Sequence, residues 1–415
     1  MNASAAVRSP DFDHLLSPEN IANPFPLYAT LREESPVHWN SHFGCWLLTR
    51  YSDVRSAFGD RARFSSQTGD AILSRASDFP QDVLRDLEVG YRFFYRQIQA
   101  FDAPEHTIHR SLIAKAFTPK VMEDLRAPIQ TRVDRLIGDL LSQGECDFVA
   151  QFAYPLPSLV IFDLLGVPED HYSVIRTSAS AFARFPAAIY SRNFAALAEI
   201  AQNLASTEKV LLSLIAERRR SPKADLISAL AYVREGANAL SDADIVVLCN
   251  FLLFAGHETT ANLLGGSVLH LLHERPLWNQ LRENRELLPN AVEELLRFVS
   301  PVLSVARVLT KDFECHGTVM KKGDRIQLSV GAANHDPAQF PDPENLRLDR
   351  PNLQSVAFGY GPHYCIGAGL ARLEAQIALA SLLQHVPEMQ LRTEAVEYHP
   401  VFYLRALKSL PIAAW

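Results

Sequence analysis

Apolar and polar positions repeat at helical spacing over most of the chain, and only short stretches alternate as strands do. The pattern predicts a short helix over residues 24–33, followed by a hairpin over residues 37–48 that turns at residues 40–44. A further helix begins at Tyr51, and residues 121–240 carry a series of amphipathic helices. The elements that the pattern predicts are therefore mostly helices.

The longest predicted helix begins at Ser241, where Asp244 three residues later gives a capping-box-like start, and it ends before Pro276. About 33 residues at 1.5 Å per residue give a length of about 50 Å, so this helix must cross the molecule. Its middle holds Gly256, which costs roughly 1 kcal/mol in a helix interior, and Glu258, which is expensive to bury without a partner. Both residues in one turn indicate a functional site.

Residues 358–367 form a second unusual stretch, because three glycines and a proline in ten residues predict a tightly turned loop. From Ala368 the apolar spacing becomes helical and predicts a buried helix that ends before Pro387. Cys365 therefore lies just before a helix N-terminus, where backbone N–H groups and the helix dipole favour a thiolate over a thiol. Such a thiolate can be a nucleophile, a zinc ligand or an axial haem ligand, whereas a lone cysteine is by default an inert core residue.

Composition limits the classes of protein to which the chain can belong. Its 415 residues are 48% hydrophobic and 21% charged, which suffices for a large core, and no linker, repeat or charge block divides residues 1–415 into separate domains. A formal net charge of −7 argues against a nucleic-acid partner. The five scattered cysteines include no Cys-x-x-Cys pair, which argues for a reducing compartment and against a disulfide framework or a structural zinc site.

The sequence does not indicate membrane insertion or export. Residues 1–13 lack the apolar region of a signal peptide or anchor. The longest apolar run, residues 245–255, is broken by Asn250 and is shorter than the roughly 18 residues that a membrane-spanning helix needs. We therefore expect a cytoplasmic protein without a membrane anchor.

The turned loop resembles the haem-binding signature of the cytochrome P450 family, Phe-Gly-x-Gly-x-His/Arg-x-Cys-x-Gly, at Phe358, Gly359, Gly361, His363, Cys365 and Gly367. Residues 255–259 resemble the family's Ala-Gly-x-Asp/Glu-Thr motif. The resemblance implies a mainly α fold with a small β-rich lobe, in which haem b (iron protoporphyrin IX) lies between the long central helix and the cysteine-ligand loop. Cys365 would be the iron ligand, and the porphyrin would contact Phe358, Gly359, Gly367, Ala255 and Gly256.

His106 and Arg110 lie four residues apart after Pro104, which suits a helix start, so both side chains share one helix face. Alone, this pair is typical of a solvated surface. Beside the haem signature it resembles the family's His-x-x-x-Arg pair, which holds the haem propionates, and the resemblance adds Arg307 and His363 as further donors.

A basic tract follows the His106–Arg110 pair and contains Lys115, Lys120, Arg126 and Arg132. On its own the tract predicts no more than surface charge. By resemblance it would face an acidic ferredoxin. The ferredoxin and a ferredoxin reductase would supply electrons, because the sequence carries no flavin- or nicotinamide-binding segment.

Glu294 and Arg297 lie three residues apart in a short predicted helix, and alone they are an ordinary surface pair. They resemble the family's Glu-x-x-Arg pair, which is buried and is completed by an arginine before the haem loop. That residue is Arg350 here, although Leu346 and Arg347 replace the commoner Phe and Asp nearby. The role of this triad would be structural, keeping the cysteine loop in place.

The family resemblance assigns chemistry to Thr259 and Glu258. Thr259, presented by a π-bulge, would hydrogen-bond the oxygen ligand of the iron, and Glu258 would feed protons from solvent. Taken alone, two adjacent threonines predict only back-bonding within the helix.

The implied function is a haem-thiolate monooxygenase that hydroxylates or epoxidises a hydrophobic small molecule in secondary metabolism, using dioxygen and two externally supplied electrons. Two alternatives remain open. One is a peroxide-driven or dioxygen-independent haem-thiolate enzyme, and the other is a haem-binding sensor or carrier.

Apolar side chains at several points of the chain are candidates for the substrate pocket. By resemblance the pocket would be formed by Phe93, Phe94, Phe182, Phe185, Val302, Leu303, Val305, Val401 and Phe402. Core packing is the simpler explanation for the aromatic residues, two of which lie beside a helix–loop–helix break predicted around Pro186. Residues 398–403 are predicted to be strand-like and to form another wall of the pocket.

Overall fold

A computed structural model describes residues 14–69, 79–115, 117–386 and 388–415 of the chain. At five positions it describes the backbone alone: Pro119, Ser180, Ala187, Tyr190 and Glu235. The predictions that concern residues 1–13, residues 70–78 and Pro387 lie outside the described residues.

Helices make up most of the described chain, as the pattern predicts. They are α1 (Pro18–Ala22), α2 (Phe25–Glu34), α3 (Tyr51–Gly59), α4 (Leu84–Tyr95), α5 (Glu105–Ala114), α6 (Pro119–Asp124), α7 (Arg126–Gln143), α8 (Pro155–Leu165), α9 (Tyr172–Tyr190), α10 (Phe194–Arg220), α11 (Leu226–Tyr232), α12 (Asp242–His273), α13 (Arg275–Glu283), α14 (Leu288–Val299), α15 (Val330–Asn334) and α16 (Ala368–His385). A π-helical turn, Val149–Ala153, precedes α8. The helices predicted after residue 24, at Tyr51, at Pro104 and from Ala368 are confirmed.

The strands are short. They are β1 (Val37–Asn40), β2 (Cys45–Leu48), β3 (Phe64–Ser65), β4 (Glu145–Asp147), β5 (Arg234–Glu235), β6 (Asn238–Ala239), β7 (Val305–Leu309), β8 (Phe313–Cys315), β9 (Thr318–Met320), β10 (Arg325–Leu328), β11 (Met389–Leu391) and β12 (Pro411–Ala414). A five-stranded sheet has the order β1-β2-β10-β7-β3, and a three-stranded sheet has the order β11-β12-β4. The predicted hairpin is confirmed, with Trp39 opposite Trp46. The mainly helical fold with a small β-rich lobe is thus confirmed.

α12 is the central helix. Ser241 and Asp244 form the predicted capping box at its start, and its 32 residues give a length of about 48 Å at 1.5 Å per residue. It packs against α8, α9, α10 and α16, so most of its side chains are buried. At Gly266 a Cβ atom would lie 2.5 Å from Cγ1 of Val299, so the missing side chain lets the end of α14 pack closely.

The break predicted at Pro186 is not where the chain turns. α9 runs as one helix through Pro186, and the turn comes at residues 191–193, before α10. A proline inside a helix removes one backbone hydrogen bond. Phe182 and Phe185, on the same helix, are fully buried, and this packing outweighs that loss.

The strand predicted over residues 398–403 is also wrong. Residues 398–407 make only isolated bridges, Tyr398 with Leu407 and Val302 with Leu404, and the last strand is β12. Pro400 lacks an N–H group for a ladder, which limits regular pairing in this segment.

The core of the described part of the chain consists of one large cluster of buried apolar residues among the helices, a smaller cluster beside the five-stranded sheet and a third around α2. Within the described residues, none of the helices is long and apolar enough to cross a membrane.

Candidate active site

The cysteine loop is held in a fixed conformation just before α16. The Cys365 N–H donates to the Phe358 carbonyl at 3.0 Å, and Gly359 and Gly361 have φ angles of +72° and +74°. A Cβ at Gly361 would lie 3.1 Å from the Phe58 carbonyl oxygen of α3, so only glycine fits without strain.

Two further contacts tie this loop to its surroundings. Arg372 in α16 binds Glu293 of α14 with distances of 2.5 and 3.0 Å and lies over the Phe358 ring at 4.6 Å. A Cβ at Gly367 would lie 3.9 Å from the Cys365 sulfur, so glycine there keeps space beside the sulfur open. The loop therefore presents a sulfur atom from a rigid support.

The protein atoms do not by themselves favour the thiolate that the sequence predicts at Cys365. Although the residue is partly accessible, desolvation by surrounding protein raises the pKa of its thiol. The N–H groups of Gly367 and Ala368 and the guanidiniums of Arg110 and Arg372 lower this pKa, but their effect is smaller. A metal ion at the sulfur would supply the missing stabilisation, because a coordinating thiol is deprotonated.

The predicted propionate donors His106 and His363 meet in space. Their ring centroids lie 3.9 Å apart, and Nε2 of His363 lies 3.1 Å from the Ser66 hydroxyl oxygen. His106 is buried, and its Nε2 atom has no hydrogen-bond partner in the described part of the chain. A buried ring nitrogen without a hydrogen-bond partner indicates that a ligand binds there and supplies that partner.

The charges around these two rings are mostly positive. Desolvation is the main cause of a lowered pKa in both imidazoles, to about 4 for His106 and about 3 for His363, so both are neutral at pH 7. Nearby guanidiniums lower both pKa values further, namely Arg61, Arg110 and Arg307. Sequence reasoning missed Arg61, which carries no motif.

Arg307 is a buried cation with little compensation. Its Nη1 donates to the Ala306 carbonyl at 2.7 Å, and desolvation lowers the pKa of its guanidinium to about 10. Among the described residues, no carboxylate lies within ion-pair distance of Arg307. Asp102 is the carboxylate that raises its pKa, and it is held by Ser65 and Ser66 at 2.5 and 2.9 Å. Asp102 and the two serines were not predicted as site residues.

A dianionic haem fits this donor set. Buried positive groups that converge without a paired carboxylate are unfavourable until an anion neutralises them. Two propionates would neutralise the guanidiniums of Arg110 and Arg307 and would accept hydrogen bonds from the neutral imidazoles of His106 and His363. Arg110 is also close enough to lower the pKa of the Cys365 thiol, so the donors and the sulfur belong to one site. A thiolate is one of the axial ligands that hold haem iron.

Thr259 lies in α12 in a regular helical turn. Its hydroxyl donates to the Ala255 carbonyl at 2.6 Å, and the helix stays α-helical over residues 255–260, so the predicted π-bulge is absent from this turn. The back-bond satisfies both groups, which removes the reason for a bulge. At Gly256 a Cβ would lie 2.8 Å from Cδ1 of Ile161, so the missing side chain serves packing against α8. A haem contact at Gly256 stays a prediction.

Glu258 precedes Thr259 in the same turn and points towards the start of α8. Its Oε1 lies 3.5 Å from the Tyr154 hydroxyl, and burial raises the pKa of its carboxyl, against a smaller lowering by that hydroxyl. A carboxyl whose pKa is raised holds its proton more readily than a solvated carboxyl and can pass it on.

The triad Glu294, Arg297 and Arg350 is assembled and buried. Arg297 binds both oxygens of Glu294 at 2.7 Å, and Arg350 Nε donates to Oε1 at 2.9 Å. The local sequence changes at Leu346 and Arg347 leave these bonds in place, and the Arg347 N–H itself donates to Glu294 at 3.1 Å.

Asn334 connects this triad to the cysteine loop, a link that sequence reasoning missed. Its carbonyl accepts from Arg297 at 2.9 Å, and its side chain accepts from the Val356 N–H at 2.9 Å and donates to Ser300 at 3.0 Å. The Val356 carbonyl in turn accepts from Gly359 at 2.9 Å. No spacing rule in the sequence gives the partners of Asn334.

The basic tract is not an open positive surface. Three of its members pair with carboxylates on the same or a neighbouring helix: Lys120 with Asp124 at 2.9 Å, Arg126 with Glu123 at 3.1 Å, and Arg132 with Asp163 at 2.9 Å. Lys115 donates to the Arg234 carbonyl at 3.1 Å. These pairs reduce the net charge that a docking partner would meet.

The candidate pocket residues fall into two groups. The first is an aromatic cluster between α4, α9 and α12, in which Phe94 stacks on Phe182 with centroids 4.8 Å apart and Phe254 lies 4.8 Å from Phe182. Phe185 lies 6.0 Å from Phe94, and Phe93 is fully buried in the core. Core packing, the simpler explanation, therefore describes Phe93, Phe182 and Phe185 in this structure.

The second group includes Leu303, Val401 and Phe402, which line a narrow cleft between the N-terminal helices and the C-terminal segment. Val302 and Val305 lie beside it, in the bridge to Leu404 and at the start of β7. A hydrogen bond from the Tyr403 hydroxyl to the Ala183 carbonyl, 3.3 Å long, links this group to α9.

Comparisons with known proteins agree with this geometry. A family model described as Cytochrome P450 matches residues 169–387. The polyketide biosynthesis cytochrome P450 PksS of Bacillus subtilis (strain 168) is 34% identical over 400 residues, which cover 94% of this chain and 96% of that protein. Nocardicin C N-oxygenase of Nocardia uniformis subsp. tsuyamanensis is 37% identical over 397 residues, covering 93% and 94%.

Solved structures show the same likeness. The crystal structure of P450BioI in complex with an acyl carrier protein ligated to hexadec-9Z-enoic acid matches with a TM-score of 0.85 at 32% identity, covering 96% of this chain and 99% of that one. Because the identity exceeds 30% over nearly the whole chain, the likeness is not confined to a local motif. The predicted family is therefore confirmed: the chain belongs to the cytochrome P450 family of haem-thiolate monooxygenases.

Proposed function

We propose that this enzyme, with residues 1–415 as one domain, binds haem b through Cys365 and oxidises a hydrophobic small molecule of secondary metabolism. One atom of dioxygen would enter a C–H bond or a double bond of the substrate, and the other would leave as water, with uptake of two electrons and two protons. The observation that carries this proposal is the acid–alcohol pair Glu258–Thr259 on the central helix, with burial raising the pKa of the acid.

When bound, the haem would supply dioxygen activation and oxygen-atom transfer. His106, Arg110, Arg307 and His363 would hold its propionates. Cys365 would hold the iron and donate electron density to it.

The proton steps belong to the chain's own residues. Glu258 would hold a proton at its carboxyl and pass it towards the Thr259 hydroxyl, then regain one from solvent. To donate elsewhere, the Thr259 hydroxyl must leave the Ala255 carbonyl, with which it bonds at 2.6 Å. A helical carbonyl is already bonded in the helix, so this exchange costs little.

The substrate class follows from the candidate pocket. The candidate pocket residues are mostly apolar and several are aromatic, which favours a terpenoid, a polyketide or a fatty acyl group. PksS is named for polyketide biosynthesis, and P450BioI is seen with an acyl carrier protein. The substrate of this enzyme would accordingly be such a molecule, either free or attached to a carrier.

Electrons would come from a ferredoxin and its reductase. We infer that the ferredoxin docks where the cysteine loop reaches the surface, because Tyr360 and Tyr364 are 42% and 37% exposed there. Arg55 lies over the Tyr360 ring at 4.1 Å and adds a positive charge for an acidic partner. The pairing within the basic tract makes this face the better candidate. A cytoplasmic location stays a prediction.

A two-step experiment tests the proposed function. Candidate ligands are first titrated into the ferric enzyme, and binders are identified by a shift of the Soret band. Binders are then incubated with isotopically heavy dioxygen, ferredoxin, its reductase and reduced nicotinamide cofactor. Products that carry one heavy oxygen atom are expected.

The alternatives give other results. Product formation with hydrogen peroxide alone, and none with the ferredoxin system, would indicate a peroxide-driven enzyme. A Soret shift without any product from either oxidant would indicate a sensor or carrier.

A further inference from the structure

Tyr154 stands at an irregular junction between two helical segments. The π-helical turn Val149–Ala153 ends there, and the Tyr154 N–H donates to the Val149 carbonyl five residues back at 2.9 Å. Pro155 then opens α8. A π-turn adds one residue to a helical path, which changes the direction of the next side chain by about 100°. The junction therefore determines where the Tyr154 ring points.

The Tyr154 ring points at two consecutive residues of α12. Its centroid lies 3.9 Å from the His257 ring at an interplanar angle of 80°, and its hydroxyl lies 3.5 Å from Glu258 Oε1. His257 is 2% exposed, and desolvation lowers the pKa of its imidazole to about 4, so it is neutral at pH 7. The ring contact orients the phenol, and the phenol faces the acid. The proton steps described above use neither Tyr154 nor His257.

Among the described ionisable residues near Glu258, Tyr154 is the one whose side chain hydrogen-bonds to its carboxyl. In the described part of the chain, no lysine or arginine makes an ion pair with Glu258. Tyr403, from the C-terminal segment, feels the charge of Glu258, but burial is the main cause that raises the pKa of its phenol to about 12, and its hydroxyl bonds to Ala183. Arg176 of α9 acts on His257. A neutral donor holds a carboxyl without the strong lowering of its pKa that a cation would cause.

We propose that Tyr154 is a positioning residue, which holds the Glu258 carboxyl against the start of α8 between proton transfers. The hydrogen bond from Tyr154 is long, at 3.5 Å. Breaking it therefore costs little free energy when the Glu258 carboxyl turns towards Thr259. The proton that moves is that of Glu258: the carboxyl gives it up, becomes a carboxylate and is protonated again from water. Tyr154 keeps its own proton throughout. This inference rests on the proposed role of Glu258 in proton delivery.

The variant Tyr154→Phe tests the proposal, because it keeps the ring against His257 and removes only the hydroxyl. Haem content, melting temperature and the substrate-induced Soret shift should stay as in the wild type. The ratio of hydrogen peroxide released to product formed should rise about twofold, the lower end of the value of one hydrogen bond, because this bond is long. This rise in the peroxide-to-product ratio should be absent when Tyr154→Phe is added to Glu258→Gln, because Tyr154 acts through the Glu258 carboxyl.

A second readout does not depend on turnover. The carbonyl stretch of protonated Glu258 is followed by infrared difference spectroscopy against pH, and the band is assigned by its loss in Glu258→Gln. Because the Tyr154 hydroxyl lowers the pKa of Glu258, its removal should move the titration midpoint upward. Tyr172→Phe, which removes a phenol hydroxyl beside Arg132, is the matched control and should leave the midpoint unchanged.

The outcomes separate this inference from the proposed function. If Tyr154→Phe leaves both the peroxide ratio and the midpoint unchanged while Glu258→Gln is uncoupled, the positioning role is wrong and proton delivery by Glu258 stands. If Glu258→Gln is itself fully coupled, the proposed function fails at that residue. A lower melting temperature in Tyr154→Phe with an unchanged midpoint shows a structural role only, which also contradicts the proposal.

Discussion

Arg350 donates its Nε hydrogen to Oε1 of Glu294 across 2.9 Å, although the two residues are 56 positions apart and both side chains are almost fully buried. The same carboxylate binds Arg297 through both oxygens at 2.7 Å. The remaining guanidinium hydrogens face backbone carbonyls, among them those of Asn334 and Pro341. One carboxylate therefore compensates two buried cations. Asn334 bonds to both Arg297 and Val356 and so connects these charges to the cysteine loop.

Replacing Glu294 by Gln should destabilise the enzyme strongly. The substitution keeps the size of the side chain but leaves two buried guanidiniums without a counter-charge, for which a loss of about 3–5 kcal/mol in the free energy of unfolding is expected. Because the cysteine loop is attached to this cluster, the purified variant should also contain less haem. Denaturant unfolding and the ratio of Soret to protein absorbance measure both effects.

The exposed pair Lys120–Asp124 provides the control for this prediction. Its members also sit on one helix and pair at 2.9 Å, but both are largely exposed. Lys120→Gln should change the free energy of unfolding by at most about 1 kcal/mol. An equal effect of the two substitutions would contradict the account of the buried cluster.

The fold was largely predictable because its signals are local. The capping box at Ser241, the hairpin with Trp39 opposite Trp46 and the helix from Ala368 depend on neighbours within a few residues, and all three are found. The wrong predictions concern segments whose conformation depends on packing against residues distant in the sequence. Pro186 stays inside a helix because buried aromatic neighbours hold it there, and residues 398–403 lack a strand partner.

Replacing Arg307 by Leu should weaken haem binding and leave the haem-free protein no less stable. In the protein alone this guanidinium is buried against a carbonyl, and desolvation lowers its pKa to about 10, so its removal relieves a cost. With haem bound it would pair with a propionate, and losing such a charged bond costs about 1.5–3 kcal/mol, or roughly 10- to 150-fold in affinity. Haem titration and thermal melting of the haem-free protein measure the two effects.

The exposed residue Arg126 gives the matched control for Arg307. Arg126→Leu removes the same charge from a surface pair with Glu123 and should leave haem affinity unchanged. If Arg307→Leu bound haem as tightly as the wild type, or melted well below it without haem, Arg307 would be a structural residue.

Replacing Thr259 by Ala should uncouple the reaction without loss of haem. Among the described residues, the Thr259 hydroxyl bonds only to the Ala255 carbonyl of its own helix, so its removal creates no unsatisfied group of consequence. Hydrogen peroxide release should rise and substrate oxidation should fall. Thr131→Ala in α7 removes an equivalent back-bond, to Ala127 at 3.0 Å, and should change neither. Full coupling in Thr259→Ala would count against the proton-relay role.

The stability of the enzyme should fall between pH 6.5 and pH 4, in part because of His257. Desolvation lowers the pKa of its imidazole from 6.5 to about 4, so in this window the unfolded chain binds a proton that the folded chain does not. Acid therefore favours unfolding, by as much as about 3 kcal/mol for this residue at the lower end. Melting temperatures across this range should fall less steeply in His257→Gln.

His385, exposed on the last turn of α16, is the control for this pH dependence. His385→Gln should leave the slope of melting temperature against pH as it is in the wild type. A slope in His257→Gln as steep as that of the wild type would show that His257 is not the residue that resists protonation.

The site was predictable where a motif names its members and not where only space brings them together. His106 and His363 stand in motifs, Arg307 was added by the family resemblance, and the structure brings these three distant segments together. Asn334, Asp102 and Tyr154 are placed at the site by hydrogen bonds to residues at unrelated spacings in the sequence. Sequence patterns report helical faces and turns, whereas such contacts depend on how separate elements pack.

The central claim is that the sulfur of Cys365 is bonded to haem iron, and the difference spectrum of the reduced enzyme with carbon monoxide tests it most directly. The account predicts the long-wavelength Soret band of a thiolate ligand in the wild type and its loss in Cys365→Ala. A wild-type enzyme that binds haem but lacks this band would contradict the claim, and so would the same band persisting in Cys365→Ala.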